Sequence, residues 1–175
     1  MSQIQESELT EKRLQLDSEQ FLSFTLGKEE YCVDILRVQE IRSWEPVSRI
    51  PNVPSYEKGV VNLRGSIVPI IDLRERFQLG RSEYTPLTVV VVVQAHIGDK
   101  TRIMGIVVDT VSDVIDVNKK LIQGAPNFGT KVSTEFISGL VSVNNRMVML
   151  LDVDKLLRLD GVDDDDDTVK AATSH

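Results

Sequence analysis

The feature that most narrows what this chain can fold into is an internal duplication. Lys58-Gly59-Val60-Val61-Asn62-Leu63-Arg64-Gly65-Ser66-Ile67-Val68-Pro69-Ile70-Ile71-Asp72-Leu73 lies without a gap on Ser138-Gly139-Leu140-Val141-Ser142-Val143-Asn144-Asn145-Arg146-Met147-Val148-Met149-Leu150-Leu151-Asp152-Val153, at a constant offset of 80 residues. Each copy reads glycine, apolar strand, turn, apolar strand, Asp, short helix. Upstream, Val33 to Ile41 echoes Ile106 to Val114 at an offset of 73. The offset grows because the second unit has a longer middle, Asp116 to Glu135. Each half therefore carries about five short strands and a helical turn or two, a pattern that predicts two small β-barrels rather than one sandwich. Units this small bury little surface alone, so the halves are expected to share a core.

Local patterns fill in the elements. Phe21-Leu22-Ser23-Phe24-Thr25-Leu26 alternates with a strand period and stops at Gly27. Tyr31-Cys32-Val33 follows a charged Lys28-Glu29-Glu30 turn. Ile35, Val38 and Ile41 then fall three apart behind a capping Asp34, which predicts a short helix. Val60 to Leu63 and Ile67 to Ile71 read as a hairpin turning at Arg64-Gly65-Ser66, where the glycine supplies positive φ. Pro69 predicts an edge position or a bulge in the second arm, and Asp72 caps a short helix from Leu73 to Phe77. Residues 1–18 read as a flexible leader, 19–159 as the folded unit, and 160–175 as a disordered acidic tail. The run Asp163 to Asp167 repels itself and stays solvated, and it lacks the spaced ligands and glycine turn of a calcium loop.

Composition removes several classes of function. Net charge is -7, a poor match for nucleic acid or an anionic membrane surface. The longest aliphatic run, Val89 to Val93, is far too short to span a bilayer as a helix. The N-terminal residues have no apolar signal core, and the single cysteine, Cys32, fits a reducing compartment. A soluble cytoplasmic protein is expected.

Candidate chemistry is sparse. His96 ends a strand with no ligand at useful spacing, and His175 ends a polar tail. Cys32 sits in a strand pattern without a histidine partner and reads as a buried thiol. There is no nucleophile elbow, and Gly59 to Gly65 lacks the Lys-Ser/Thr ending of a phosphate loop. Asp72 and Asp152 recur at matching points of the duplication, which argues for helix caps over a catalytic pair. No catalytic, metal or cofactor site is expected. Attention moves to turns and edges: Glu40-Ile41-Arg42, an exposed-looking Ser43-Trp44-Glu45, and Arg64 at a turn tip. Charges rimming apolar β surfaces suit a protein interface, and the plain alternative is that Glu40 and Arg64 are merely solvated.

These blocks, above all Asn62-Leu63-Arg64-Gly65 followed by Val68-Pro69-Ile70-Ile71-Asp72-Leu73-Arg74, resemble the CheW family of chemotaxis coupling proteins. Tyr31 to Arg42 and Gly105 to Asp109 carry the resemblance too, which runs from about Glu19 to Leu159. It implies a mainly β fold: two intertwined five-stranded SH3-like β-barrel subdomains with a few short helices. It also implies a non-catalytic, cofactor-free adaptor that couples methyl-accepting chemotaxis receptor tips to the CheA histidine kinase and supports assembly of signalling arrays. The alternative is a CheW-like module of another CheA/CheV-type pathway that does not control flagellar motility. Binding positions implied by the resemblance are Val38, Glu40, Ile41, Gly59, Arg64, Val89, Gly105, Val111, Val114 and Phe128. Glu40 and Arg64 are expected to face each other. Gln123 departs from the arginine usual at its place in the family, and the Ala95 to Arg102 hairpin is longer than is typical.

Overall fold

A computed structural model of the chain describes residues 5–9, 18–80, 83–124 and 134–159. Residues 5–9 form one exposed helical turn, α1. The alternating segments become ten strands: β1 (Ser18–Leu26), β2 (Glu29–Asp34), β3 (Val38–Ser43), β4 (Glu57–Leu63), β5 (Ser66–Asp72), β6 (Val89–Ile97), β7 (Lys100–Val108), β8 (Thr110–Asn118), β9 (Ile137–Val143) and β10 (Arg146–Leu151). Short helices follow β5 and β10, namely α2 (Leu73–Arg76) and α3 (Val153–Leu159). No helix among the described residues is long and apolar enough to cross a membrane.

The strands form two curled five-stranded sheets, ordered β8-β1-β2-β10-β9 and β3-β6-β7-β5-β4. Neither is made from one half of the duplication. The first barrel joins β1 and β2 to the later β8, β9 and β10, and the second joins β6 and β7 to the earlier β3, β4 and β5. The halves have therefore exchanged their leading hairpins. The two parallel contacts, β2 with β10 and β7 with β5, are the seams of that exchange.

The exchange explains the composition of the strands. Val91, Val93, Ala95 and Ile97 face a large shared core, while Val90 and Val92 face a small core inside the second barrel. A strand buried on both faces reads as a continuous apolar run, which is what Val89 to Val93 is. β2 works the same way in the first barrel, with Tyr31 and Val33 turned to the shared core and Cys32 to the inner one. Stacked aromatics cross the shared core from Phe24 to Tyr31 to Phe77 to Phe136, with ring centroids 5.9, 5.8 and 5.6 Å apart. Full burial of each such ring is worth about 2–3 kcal/mol, so this core joins the barrels more firmly than any surface contact can.

The duplication extends to single bonds. Asp72 caps α2 by accepting from the Glu75 N–H at 3.2 Å, and Asp152 caps α3 by accepting from the Lys155 N–H at 3.0 Å. The Asp72 and Asp152 backbone N–H groups donate to Tyr56 O and Phe136 O, each at 2.7 Å. The reading of both aspartates as caps holds.

Two sequence expectations are corrected. The helix expected around Ile35 to Ile41 is a 3-10 turn, Ile35–Arg37, followed by β3. The three-residue spacing that imitated a helix comes from a β-bulge. Val38 pairs with Val93 and Glu40 with Val92, leaving Gln39 unpaired, so Val38 and Ile41 share one face although three apart. Pro69 lies in an internal strand, not at an edge. Its partner Val60 donates its N–H away from β5 to Ser48 O at 2.9 Å, so the missing Pro69 N–H is not needed by β4. Pairing with β7 begins only at Ile70, so it is not needed there either.

Candidate functional site

The expected binding residues fall mainly on edge strands. β3 is an edge of the second sheet and β8 an edge of the first. β8 repeats the bulge of β3, because Ser23 pairs with Asp113 and Phe24 with Val111, skipping Ser112. Gln39 and Ser112 are 73 residues apart, the offset of that part of the duplication. Val38 and Val111 are thus counterparts, as are Ile41 and Val114. Val38 and Val111 are half-buried against the shared core, whereas Ile41 is 45% and Val114 44% exposed. Val89 starts β6 opposite Ser43 and packs on the shared core beside the β3 edge. The fold therefore assembles Val38, Ile41 and Val89 at one edge, and Val111 and Val114 at the corresponding edge of the other barrel. Exposed branched side chains on an edge strand invite strand or side-chain association unless a partner covers them.

Glu40 and Arg42 sit opposite Val92 and Val90, at the mouth of the second barrel, and pair with each other at 3.9 Å. A cavity of about 50 Å³ lies there, lined by Arg42, Ser43, Pro46, Val61, Val90 and Val92 among others. The expected meeting of Glu40 with Arg64 does not occur. Arg64 is exposed at the tip of the β4–β5 hairpin and has no ion-pair partner among the described residues. Its φ is 53°, a left-handed conformation that an L residue other than glycine or asparagine takes at a cost of about 1–2 kcal/mol. At the matching turn the chain places Asn144 (φ 50°) and Asn145 (φ 64°), residues suited to it. Trp44, expected to be exposed, is half-buried. It stacks on Tyr84 at 4.4 Å and packs against the second barrel's inner core.

Gly59 and Gly105 are buried and serve the packing around these surfaces. A Cβ on Gly59 would come within 2.0 Å of Ser48 O, where the segment after β3 closes on β4. A Cβ on Gly105 would meet Ile70 Cδ1 at 2.5 Å and Val90 Cγ1 at 2.8 Å inside the second barrel. Phe128 lies outside the described residues. Gln123 is described, and its backbone bridges Leu140 at 2.8 Å in both directions.

The chemistry-bearing residues have structural settings. Burial, followed by the nearby Glu30 charge, pushes the Cys32 thiol up to about 12. His96 is exposed at the end of β6, and its backbone N–H donates to Asp154 Oδ1 at 2.9 Å. Asp72 also accepts from the Tyr84 hydroxyl at 2.8 Å, and burial followed by that hydrogen bond raises the phenol above its ordinary range. Among the described residues no three His, Cys, Asp or Glu side chains gather as a metal site.

Two exposed apolar residues were not singled out from the sequence. Ile67 (73% exposed) and Met147 (57% exposed) stand on the β4–β5 and β9–β10 hairpins at the offset of 80. The signal was available, since an outward strand position is apolar in both copies. Arg42 was noted but not chosen, because its ion pair with Glu40 depends on register after the bulge.

Known proteins supply the remaining comparison. The CheW-like domain family matches residues 20–160. The chain is 50% identical over 139 residues to the chemotaxis protein CheW of Klebsiella aerogenes, covering 79% of this chain and 81% of that one. It is 32% identical over 139 residues to the chemotaxis protein CheW of Bacillus subtilis, covering 79% and 86%. Among solved structures, the scaffolding protein TtCheW from Thermoanaerobacter tengcongensis superposes with a TM-score of 0.71 at 29% identity, covering 79% of this chain and 86% of that one.

Proposed function

The chain belongs to the CheW-like domain family, and from that premise we propose that it is a non-catalytic adaptor that couples methyl-accepting chemotaxis receptors to the CheA histidine kinase and helps build the signalling array. The observation that carries this reading is the pair of matching edges, with Ile41 and Val114 left equally exposed on two barrels. An adaptor must hold two partners at once, and a duplicated fold presents two related surfaces with one rigid core between them. Val38, Val89 and Val111 support those edges from below. Glu40, Arg42 and Arg64 orient partners by charge on the second barrel. Gly59 and Gly105 keep the surfaces in shape without contributing side chains. Phe128 belongs to the same set of proposed contacts, and Ile67 and Met147 extend it onto the hairpins.

The reading places the protein in the cytoplasm, recruited to membrane-associated receptor arrays without inserting in the membrane, with residues 19–159 as the working module and no nucleic-acid partner. It needs no cofactor, because the contacts are apolar surface with a few oriented charges. The test is co-sedimentation of the protein with receptor cytoplasmic fragments and CheA. Retention by each partner is expected, and a protein that stays in the supernatant with both contradicts the assignment.

A further inference from the structure

Two ion pairs sit at corresponding places in the exchanged fold with reversed polarity. In the first barrel, Arg37, in the linker between β2 and β3, pairs with Asp154 of α3 at 3.1 Å. In the second, Asp109, in the linker between β7 and β8, pairs with Arg74 of α2 at 3.0 Å. Arg74 and Asp154 are 80 residues apart, so they occupy the same place in the duplication with opposite charge. The linkers are opposite as well. Half one therefore carries arginine at both points, and half two carries aspartate at both.

We infer that these charges specify the exchange of hairpins: they favour pairing between halves and oppose closure of a half upon itself. The topology gives the reason. Each linker lies beside a helix because β2 runs parallel to β10 and β7 parallel to β5. A self-closed half would lay its own second strand beside its own fifth. That would set Arg37 against Arg74, and Asp109 against Asp154. Like charges at such separations repel where the observed pairs attract. The hydrophobic pattern makes no such distinction, because strands of the two halves alternate alike.

The aspartates also tie the barrels together. Asp109 Oδ2 accepts from the Gly27 N–H of the β1–β2 turn at 2.7 Å, and Asp154 Oδ1 accepts from the His96 N–H of β6. Arg37 Nη1 and Arg74 Nε are buried without another partner, so neither guanidinium has a replacement acid at hand. The pairs discriminate against self-closed halves and are indifferent to whether the matching half lies on the same chain.

The test is a cycle of charge-neutral variants of the full chain, followed by equilibrium urea unfolding. Exchanging the linker charges (Arg37→Asp with Asp109→Arg) breaks both pairs, and so does exchanging the helix charges (Arg74→Asp with Asp154→Arg). The fourfold variant restores both pairs with polarity inverted. Each exchange is expected to raise the unfolding equilibrium constant about tenfold. Independent losses would multiply to about a hundredfold in the fourfold variant. Restored pairing predicts instead a fourfold variant at least as stable as either exchange. A fourfold variant less stable than both, or exchanges that leave stability unchanged, overturns the inference.

Discussion

The two barrels have the same strand order, bulge, caps and close glycine contacts, yet their rims differ. On β3 the bulge is followed by the Glu40–Arg42 pair at 3.9 Å, whereas the counterparts on β8 are Asp113 and the buried Ile115. At the hairpin tips, Arg64 occupies a left-handed position that Asn144 fills in the other copy. Where backbone geometry dictates a residue, the copies agree, as with Gly59 and Gly139. Where geometry dictates nothing, agreement or difference points to partners. Ile41 and Val114 agree in being apolar and exposed, which marks two binding edges. Arg64 differs from Asn144 at a cost in backbone strain, which assigns polar recognition to the second barrel.

The largest expected effect tests the shared geometry. Gly59→Ala and Gly139→Ala should each cost about 3 kcal/mol or more in urea unfolding, because a Cβ at either position meets backbone atoms, Ser48 O at 2.0 Å and Gln123 O at 2.8 Å. Gly105→Ala should cost about 1–2 kcal/mol, since only side-chain tips must move there. Equal costs at Gly59 and Gly105 would undo the distinction.

Next come the edges. Ile41→Asp and Val114→Asp should each weaken a partner complex about tenfold or more in a calorimetric titration, while the thermal midpoint stays near the parent's. If both edges bind, the two substitutions should differ in which partner they affect. Identical losses for both partners would reduce the two edges to one surface.

The turn substitution separates stability from recognition. Arg64→Asn should stabilise the fold by about 1 kcal/mol by relieving the left-handed strain, and it should weaken kinase or receptor binding. Asn144→Arg should cost about the same stability and leave binding unchanged. Arg64→Asn that binds normally would return Arg64 to the status of a solvated charge.

The smallest effect concerns the seam. Tyr31 in β2 corresponds to Met104 in β7, and both are buried in the shared core. Burial, followed by the Glu29 charge, raises the Tyr31 phenol from 10.0 to about 12, and its hydroxyl has no hydrogen-bond partner. The neutral form is favoured by folding, so this contribution is intact below pH 10 and is lost as pH rises towards 12. Tyr31→Phe should be neutral to about 1 kcal/mol stabilising at pH 7 and should flatten that alkaline decline. An unchanged alkaline profile would shift the cause to Cys32 alone.

Much of this architecture was legible because duplication converts weak local signals into paired ones. Asp72 gained its reading as a cap from Asp152, and the hairpin at Arg64-Gly65 gained support from Asn144-Asn145. The exchange of hairpins was implied by family resemblance and not by periodicity, since alternation is the same whichever half a strand joins. The β3 edge was misread as a helix because a bulged residue turns a two-residue period into three, and period is the main sequence cue. The absent Glu40–Arg64 contact and the burial of Trp44 depend on how the sheet curls, which no local pattern encodes.

The central claim is that this chain joins a receptor to a kinase through two related edges. It is tested most directly by CheA autophosphorylation in the presence of receptor fragments, with and without added protein. The account predicts clear stimulation by the parent chain and loss of it by Ile41→Asp and by Val114→Asp separately. Kinase activity that ignores the parent chain, or is stimulated equally by both variants, contradicts it.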